Sequence, residues 1–377
     1  MDNQTNNELE KSRDRIDQID LKIIDLLAER QAEVEKVIEI KKKSNLPVRH
    51  PAREEDMISS RRALAKEKGL DPDYVEELFR SLLRQSRVEQ TESKSEKGVK
   101  PDATVLIVGG KGGMGRYFAQ WFNKSGYITR VLGRNDWDKV ESLCDRVDLA
   151  IVSVPIEITL SVIEKLTPYL PSNAVLADLT SIKKEPVSAM MSTHKGPVLG
   201  IHPLFGPSTF SMDKQIIVVT PGRYEGSCKW VIDQMSEWGA ITVRSSGEEH
   251  DRIMAVVQAL RHFATFTFGR FLFRENVDLF RSLEFSSPIY RLELGMVGRL
   301  FAQAPDLYSG IIFASDERRS LLKEFITSIT ELTSMVEKSD KEEFETEFKE
   351  IATWFGPFSG QALRESSFLI DKLIERF

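Results

Sequence analysis

Three sets of residues in this chain have types and spacings suited to chemistry. His202 follows the apolar run Leu199-Gly200-Ile201 and precedes Pro203-Leu204-Phe205-Gly206-Pro207. A histidine at the end of a buried strand, with an ordinary pKa of about 6.5, is placed to move a proton near neutral pH. The second set is Gly110-Lys111-Gly112-Gly113-Met114-Gly115, directly behind Val105-Leu106-Ile107-Val108-Gly109. Gly110, Gly112 and Gly115 have G-x-G-x-x-G spacing. The first glycine allows a turn, the second lets the backbone approach a pyrophosphate, and the third lets the next helix pack close to the strand. A helix starting near Met114 turns its free N–H groups toward the phosphates. The third set is cationic. Arg30 stands seven residues after Ile23 and seven before Val37, inside an apolar stripe, where a cation is costly unless an anion meets it. A snorkelling arginine, or an ion pair with Glu33, is the structural alternative.

The elements that position these residues follow from periodicity. Residues 8–43 lack proline and glycine, and Ile16, Ile19, Ile23, Leu26, Val37 and Ile40 recur at three-four spacing. This predicts one helix about 50 Å long, a length that suggests an intertwined dimer. Lys41 lies three turns beyond Arg30. Arg13 lies about 25 Å before it, so only a partner chain's Arg13 can share a small ligand with Arg30. Pro47 ends this region, and Arg49, Arg53 and Glu54 follow. A second helix runs to about Lys68, where Gly69 stops it. Asp71-Pro72 opens a third, carrying Tyr74, Leu78, Leu82, Ser86 and Gln90. Residues 93–102 read as a polar linker.

Beyond the glycine cluster, strands at 127–132 and 148–154 give βαβαβ order, the start of a dinucleotide-binding fold. NAD binders usually place an acid at the end of the second strand. Here Gly133-Arg134-Asn135 stands there, so Arg134 can receive the 2′-phosphate of NADP, or Asp136 can swing in to favour NAD. Further strands fall at 174–179, 197–201, 215–220 and 241–244. From Glu248 onward the pattern is helical, with breaks near 286–288 and 305. The aromatic run 262–268 is expected to be core, apart from His262. The resulting fold is an all-α domain at 1–92, an α/β Rossmann domain at 103–247 and an all-α domain at 248–377.

The totals exclude several classes. A net charge of −6 gives no general reason to expect nucleic acid. No apolar run reaches the length of a membrane span, and the polar, acidic N-terminus does not read as a signal peptide. Cys144 and Cys228 lack metal or redox spacing and read as reduced cytosolic thiols, and the five histidines show no ligand spacing.

The runs Arg13-Asp14-Arg15-Ile16 and Leu27-Ala28-Glu29-Arg30, with Lys41, Pro47-Val48-Arg49 and Arg53-Glu54, resemble the all-helical class of chorismate mutase over residues 8–90. The resemblance implies a dimer of three-helix chains that binds chorismate through Arg13 of the partner, Arg30, Lys41, Arg53, Glu54, Ser86 and Gln90. His50 stands where some members have Asp. Chorismate is a dianion that rearranges with no covalent intermediate. The enzyme holds it compact and stabilises charge on the ether oxygen, the task suited to Lys41 and Gln90.

Residues 200–207, Gln258-Ala259-Leu260-Arg261-His262-Phe263 and Ser286-Ser287-Pro288-Ile289-Tyr290-Arg291-Leu292-Glu293-Leu294 resemble prephenate dehydrogenase, from about residue 103 onward. Taken together, the chain resembles the bifunctional family that fuses the two enzymes in bacterial tyrosine biosynthesis. The resemblance implies NAD as cofactor, with NADP possible, and His202 as base, with Ser153 orienting the histidine or the substrate. It implies Arg291 on a prephenate carboxylate and His262 and Gln258 in the pocket. It also implies a cytoplasmic homodimer under tyrosine feedback. A salt bridge to Glu293 is the structural alternative for Arg291. Arogenate in place of prephenate, or a catalytically dead nucleotide sensor that would have lost His202 or the cation set, are the other readings.

Overall fold

The computed structural model describes residues 3–44, 51–94 and 98–374, so Pro47, Arg49 and His50 lie outside the described residues. With no internal proline or glycine, α1 (Asn3–Ser44) runs unbroken for 42 residues, longer at both ends than its periodicity predicts. Its stripe residues Ile16, Ile19, Ile23 and Leu26 stay exposed in the single chain. α2 (Pro51–Glu67) ends two residues before Gly69, whose φ of +72° supplies the left-handed stop. α3 (Pro72–Lys94) begins where Asp71 Oδ1 accepts the Asp73 N–H at 2.9 Å.

The α/β part follows in order: β1 (Thr104–Val108), α4 (Gly113–Lys124), β2 (Ile128–Leu132), α5 (Val140–Cys144), β3 (Leu149–Val152), α6 (Ile156–Leu166), β4 (Val175–Asp178), α7 (Lys184–Thr193), β5 (Val198–Pro203), β6 (Ile216–Pro221), α8 (Glu225–Glu237) and β7 (Ile241–Arg244). The seven strands form one sheet in the order β2-β1-β3-β4-β5-β6-β7. All neighbours pair parallel except β5 and β6, where His202 stands opposite Val218. β1, β3 and β4 are buried along their whole length, which accounts for their continuous apolar sequences. The chain reverses direction across β1: β2 lies on one side and β3 on the other. That switch point, at the carboxyl ends of β1 and β3, is where open α/β sheets bind ligands. Phe122 and Trp238 meet edge to face at 4.8 Å in the core beside α4, and Trp238 Nε1 donates to Ser125 Oγ.

The helices of the remainder are α9 (Gly247–Met254), α10 (Arg261–Arg274), α11 (Leu279–Glu284), α12 (Pro288–Phe301), α13 (Pro305–Ile312), α14 (Asp316–Lys338), α15 (Lys341–Phe355) and α16 (Pro357–Ile374). The chain divides into two compact units. One holds 1–154, 163–179 and 189–245; the other holds 155–162, 180–188 and 246–377. Within the second, Asp251 accepts the Lys183 and Lys184 N–H groups at 2.7 and 3.0 Å and so caps the start of α7. Buried Arg318 donates to Ile311 O and Ser181 O. The aromatic run 262–268 corrects its expectation as core: no residue of α10 is buried and Phe266 is 40% exposed. Phe301 of α12 meets the Phe266 ring at a centroid distance of 6.0 Å.

Candidate active sites

The turn after β1 brings glycine backbone against both neighbouring strands and the next helix. Gly109 takes φ +83°, so it is the turn glycine, one residue before the Gly110 expected from spacing alone. A Cβ on Gly109 would strike the Ser153 carbonyl oxygen at the end of β3. One on Gly110 would press on Val131 at 2.9 Å, so Gly110 serves close approach to β2. One on Gly115 would sit 2.5 Å from Gly109 O, which is the close helix packing the third glycine permits. Gly112 is the N-cap of α4 and brings no side-chain oxygen, leaving the first-turn N–H groups for a phosphate. A cleft of about 220 Å³ lined by Gly113, Arg116, Tyr117, Gln120 and Pro207 opens beside this turn.

At the end of β2 stand both alternatives, Asp136 and Arg134. Asp136 Oδ2 accepts the Gly133 N–H at 2.9 Å and meets Lys111 Nζ, from the glycine turn itself, at 3.0 Å. Lys111, then the Gly133 N–H, hold this carboxyl below the usual carboxylate range. Arg134 is exposed.

Ser153 directly follows β3 and His202 lies on β5, with β4 between them, so their backbones stand about 10 Å apart across the sheet. His202 is buried. Asp178, fully buried at the end of β4, pairs in register with Val152 and Gly200 and adds a carboxylate to the same edge. Its mark in the sequence is an acid closing the apolar run 174–177.

In the helical domain, Arg30 Nη1 donates to Ser86 Oγ at 2.9 Å and Lys41 Nζ to Gln90 Oε1 at 3.0 Å. Ser86 and Gln90 are four residues apart and share one face of α3, and Arg30 and Lys41 share one face of α1. Glu33 pairs with Lys36, so the ion pair offered as an alternative for Arg30 does not form. Arg53 is exposed on α2, and Glu54 pairs with Arg87 at 3.0 Å. Arg13 pairs with Glu10 on the exposed surface, and the unbroken helix keeps it about 25 Å from Arg30.

The second unit holds Gln258, His262 and Arg291. Gln258 lies in a π-helical turn, Ala255–Leu260, a local widening that re-aims side chains and recurs at functional sites. His262 accepts from Arg261 and packs edge to face on Tyr308 at 4.9 Å. Burial, then the Arg261 charge, lower its pKa to about 4, so it is a neutral hydrogen-bonding group at pH 7. Arg291 Nη2 donates to Leu283 O at 2.6 Å, a main-chain anchor in place of the salt bridge to Glu293. His250 pairs with Asp251 and His194 bonds Ala174 O, both in structural roles. Burial pushes the thiols of Cys144 and Cys228 up to about 11 and about 12, which leaves them inert near neutrality. Among the described residues no metal-ligand cluster forms, and no helix is long and apolar enough to cross a membrane.

Residues 12–91 match the chorismate mutase type II family, residues 130–244 the prephenate dehydrogenase nucleotide-binding domain and residues 246–350 the prephenate dehydrogenase dimerization domain. The chain is 44% identical to a T-protein of Enterobacter agglomerans, over 96% of this chain and 97% of that one. It is 40% identical to a T-protein of Haemophilus influenzae, over 97% of each. Its fold is similar to that of prephenate dehydrogenase from A. aeolicus in complex with hydroxyphenyl propionate and NAD+, with TM-score 0.55 and 21% identity over 67% of this chain and 97% of that one.

Proposed function

The chain belongs to the T-protein family, bifunctional chorismate mutase and prephenate dehydrogenase of tyrosine biosynthesis, and we propose how its residues divide that work. Residues 1–92 carry the mutase, 93–102 link, 103–247 bind the dinucleotide and 248–377 complete the dehydrogenase. The observation that carries the mutase assignment is the pairing of Arg30 with Ser86 and Lys41 with Gln90. Arg30, Arg53 and the partner subunit's Arg13 grip the two carboxylates of chorismate, and Glu54 and Ser86 hold its polar groups. Lys41 and Gln90 donate to the ether oxygen as charge builds there.

Prephenate is oxidised in the second domain. His202 takes the proton of the ring alcohol as the carbon–hydrogen bond gives up its hydride, and loss of CO₂ leaves the aromatic ring of 4-hydroxyphenylpyruvate. Bound NAD would supply the hydride acceptor for this oxidation. Gly109, Gly110, Gly112 and Gly115 would hold its pyrophosphate. Ser153 orients the reacting group, while Arg291, Gln258 and neutral His262 hold the substrate. Arg291→Ala then raises the KM for prephenate about 10- to 100-fold, the worth of a hydrogen bond to a charged group. An unchanged KM would leave Arg291 as the anchor of Leu283 and turn attention to exposed Arg299 on the same helix.

NAD, not NADP, is the dinucleotide on this reading, because Asp136 occupies the end of β2. Asp136→Ala should raise the KM for NAD about tenfold and narrow the preference over NADP. A preference left intact would place ribose recognition elsewhere. The enzyme is a cytoplasmic homodimer, an inference supported by the exposed stripe of α1, and tyrosine inhibits it. Mixing the purified protein with chorismate and NAD tests the whole sequence of reactions, read by the ultraviolet absorbance of the reduced dinucleotide. Signal from chorismate requires both activities. Signal from prephenate alone would remove the mutase, and silence with both would direct the dehydrogenase to arogenate. Tyrosine added to the working assay tests the inhibition.

A further inference from the structure

Arg87 follows Ser86 on α3 and is 6% exposed. Its guanidinium donates Nη1 to Glu54 Oε2 at 3.0 Å and Nε to Asp213 Oδ2 at 3.2 Å. Glu54 belongs to the mutase set. Asp213 belongs to the α/β domain, in the loop 204–215 that leaves His202-Pro203. Both carboxylates are largely shielded from water, so the three charges form a closed triad with one cation and two acids.

Asp213 is the fixed corner of the triad. Its N–H donates to Ser211 Oγ at 3.1 Å, the neighbouring Met212 is fully buried, and the Lys214 N–H donates to Gly239 O at 2.9 Å. Gly239 takes φ +90°, and a Cβ there would press on Asp213 Cα at 3.1 Å and approach Thr91 Oγ1 of α3 at 3.4 Å. The last turns of α3 are thus seated on the loop that holds Asp213. Nearer His202, Pro207 of the same loop lies 3.0 Å from the place of a Cβ on Gly113 in the dinucleotide turn.

We propose that Asp213, acting through Arg87, positions the Glu54 carboxylate, so that a residue of the dehydrogenase domain sets how the mutase binds chorismate. A guanidinium is a rigid planar fork, and two shielded carboxylates on different edges leave it one orientation. With Asp213 neutral, the fork is free to turn one full edge onto Glu54, grip it through two N–H groups and draw that carboxylate away from the substrate. Arg87 and Asp213 are positioning residues; neither touches chorismate. This inference rests on the reading that Glu54 contacts the substrate.

The test uses the full-length protein and compares Asp213→Asn, Asp213→Glu and Glu54→Gln for chorismate KM and kcat. In Asp213→Asn the KM rises about tenfold with kcat within about threefold, and Asp213→Glu restores much of the loss. Prephenate-dependent NAD reduction by the same samples reports that the domain carrying Asp213 is folded. A wild-type KM in Asp213→Asn, with Glu54→Gln impaired, overturns the inference and leaves the site intact. A wild-type KM in Glu54→Gln removes Glu54 from the site and the inference with it. If Asp213→Asn fails to fold, Arg87→Lys decides, because it keeps the charge and loses the fork: the same rise in KM supports the triad, and an unchanged KM overturns it.

Discussion

Dehydrogenase turnover is expected to fall about 10²- to 10⁴-fold in His202→Asn, the usual worth of a general base. Chorismate mutase turnover in the same protein stays within about twofold of wild type. The separation follows from where the groups stand. His202 lies on β5 of the α/β sheet, whereas Arg30, Lys41, Ser86 and Gln90 lie on α1 and α3. Asparagine is a polar residue of smaller volume, and the β5–β6 pairing opposite Val218 uses only the backbone, so the sheet keeps its register. Two separate assays check the outcome: prephenate-dependent reduction of NAD, and loss of chorismate without NAD. Equal loss of both activities in a folded variant would mean that His202 supports the structure and does not serve as the base.

Arg30→Ala is expected to lower mutase kcat/KM about 10²- to 10³-fold, the cost of removing one preorganised donor from a site that stabilises developing charge. Its guanidinium already points at Ser86 across α1 and α3, with Nη1 2.9 Å from the hydroxyl, so little reorganisation remains when the dianion binds. The same cation interrupts an apolar stripe, where it is costly without its anion. The thermal midpoint of the ligand-free variant is therefore expected to hold or rise while activity disappears. Retained turnover with a lowered midpoint would reverse the assignment and make Arg30 structural.

The outline of both candidate sites is readable in the sequence because each rests on local rules. A helix without proline or glycine, a stripe broken by Arg30 and positions 86 and 90 on one face follow from the 3.6-residue period. The glycine cluster is legible for a similar reason, because a turn and a close helix approach exclude Cβ atoms at set intervals. Even there, spacing points to Gly110 for the turn, and the backbone gives that role to Gly109. Only Gly110, Gly112 and Gly115 fit the spacing, so the role of Gly109 shows only in its left-handed backbone and in the approach of Ser153 from the end of β3.

Other features depend on contacts between segments far apart in the chain. The π-helical turn at Ala255–Leu260 has no composition that separates it from an α-helix. Asp136 and Arg134 are alternatives for one role at the end of β2, and the contact of Asp136 with Lys111 joins two loops that no local pattern connects. The aromatic run of α10 is apolar enough for a core, yet one chain does not bury it.

From the sequence alone came the order of the domains, the α/β class of the middle one, the cationic helix and the histidine at a strand end. These depend on backbone periods and turn sterics, which neighbouring residues determine. Tertiary structure alone decided that β3 crosses to the far side of β1, that Asp178 joins the edge where His202 stands and that Arg87 links Glu54 to Asp213. Arg87 and Asp213 are 126 residues apart, and no short-range pattern encodes such a pair. It forms because burying one guanidinium requires carboxylates wherever the packed chain can deliver them.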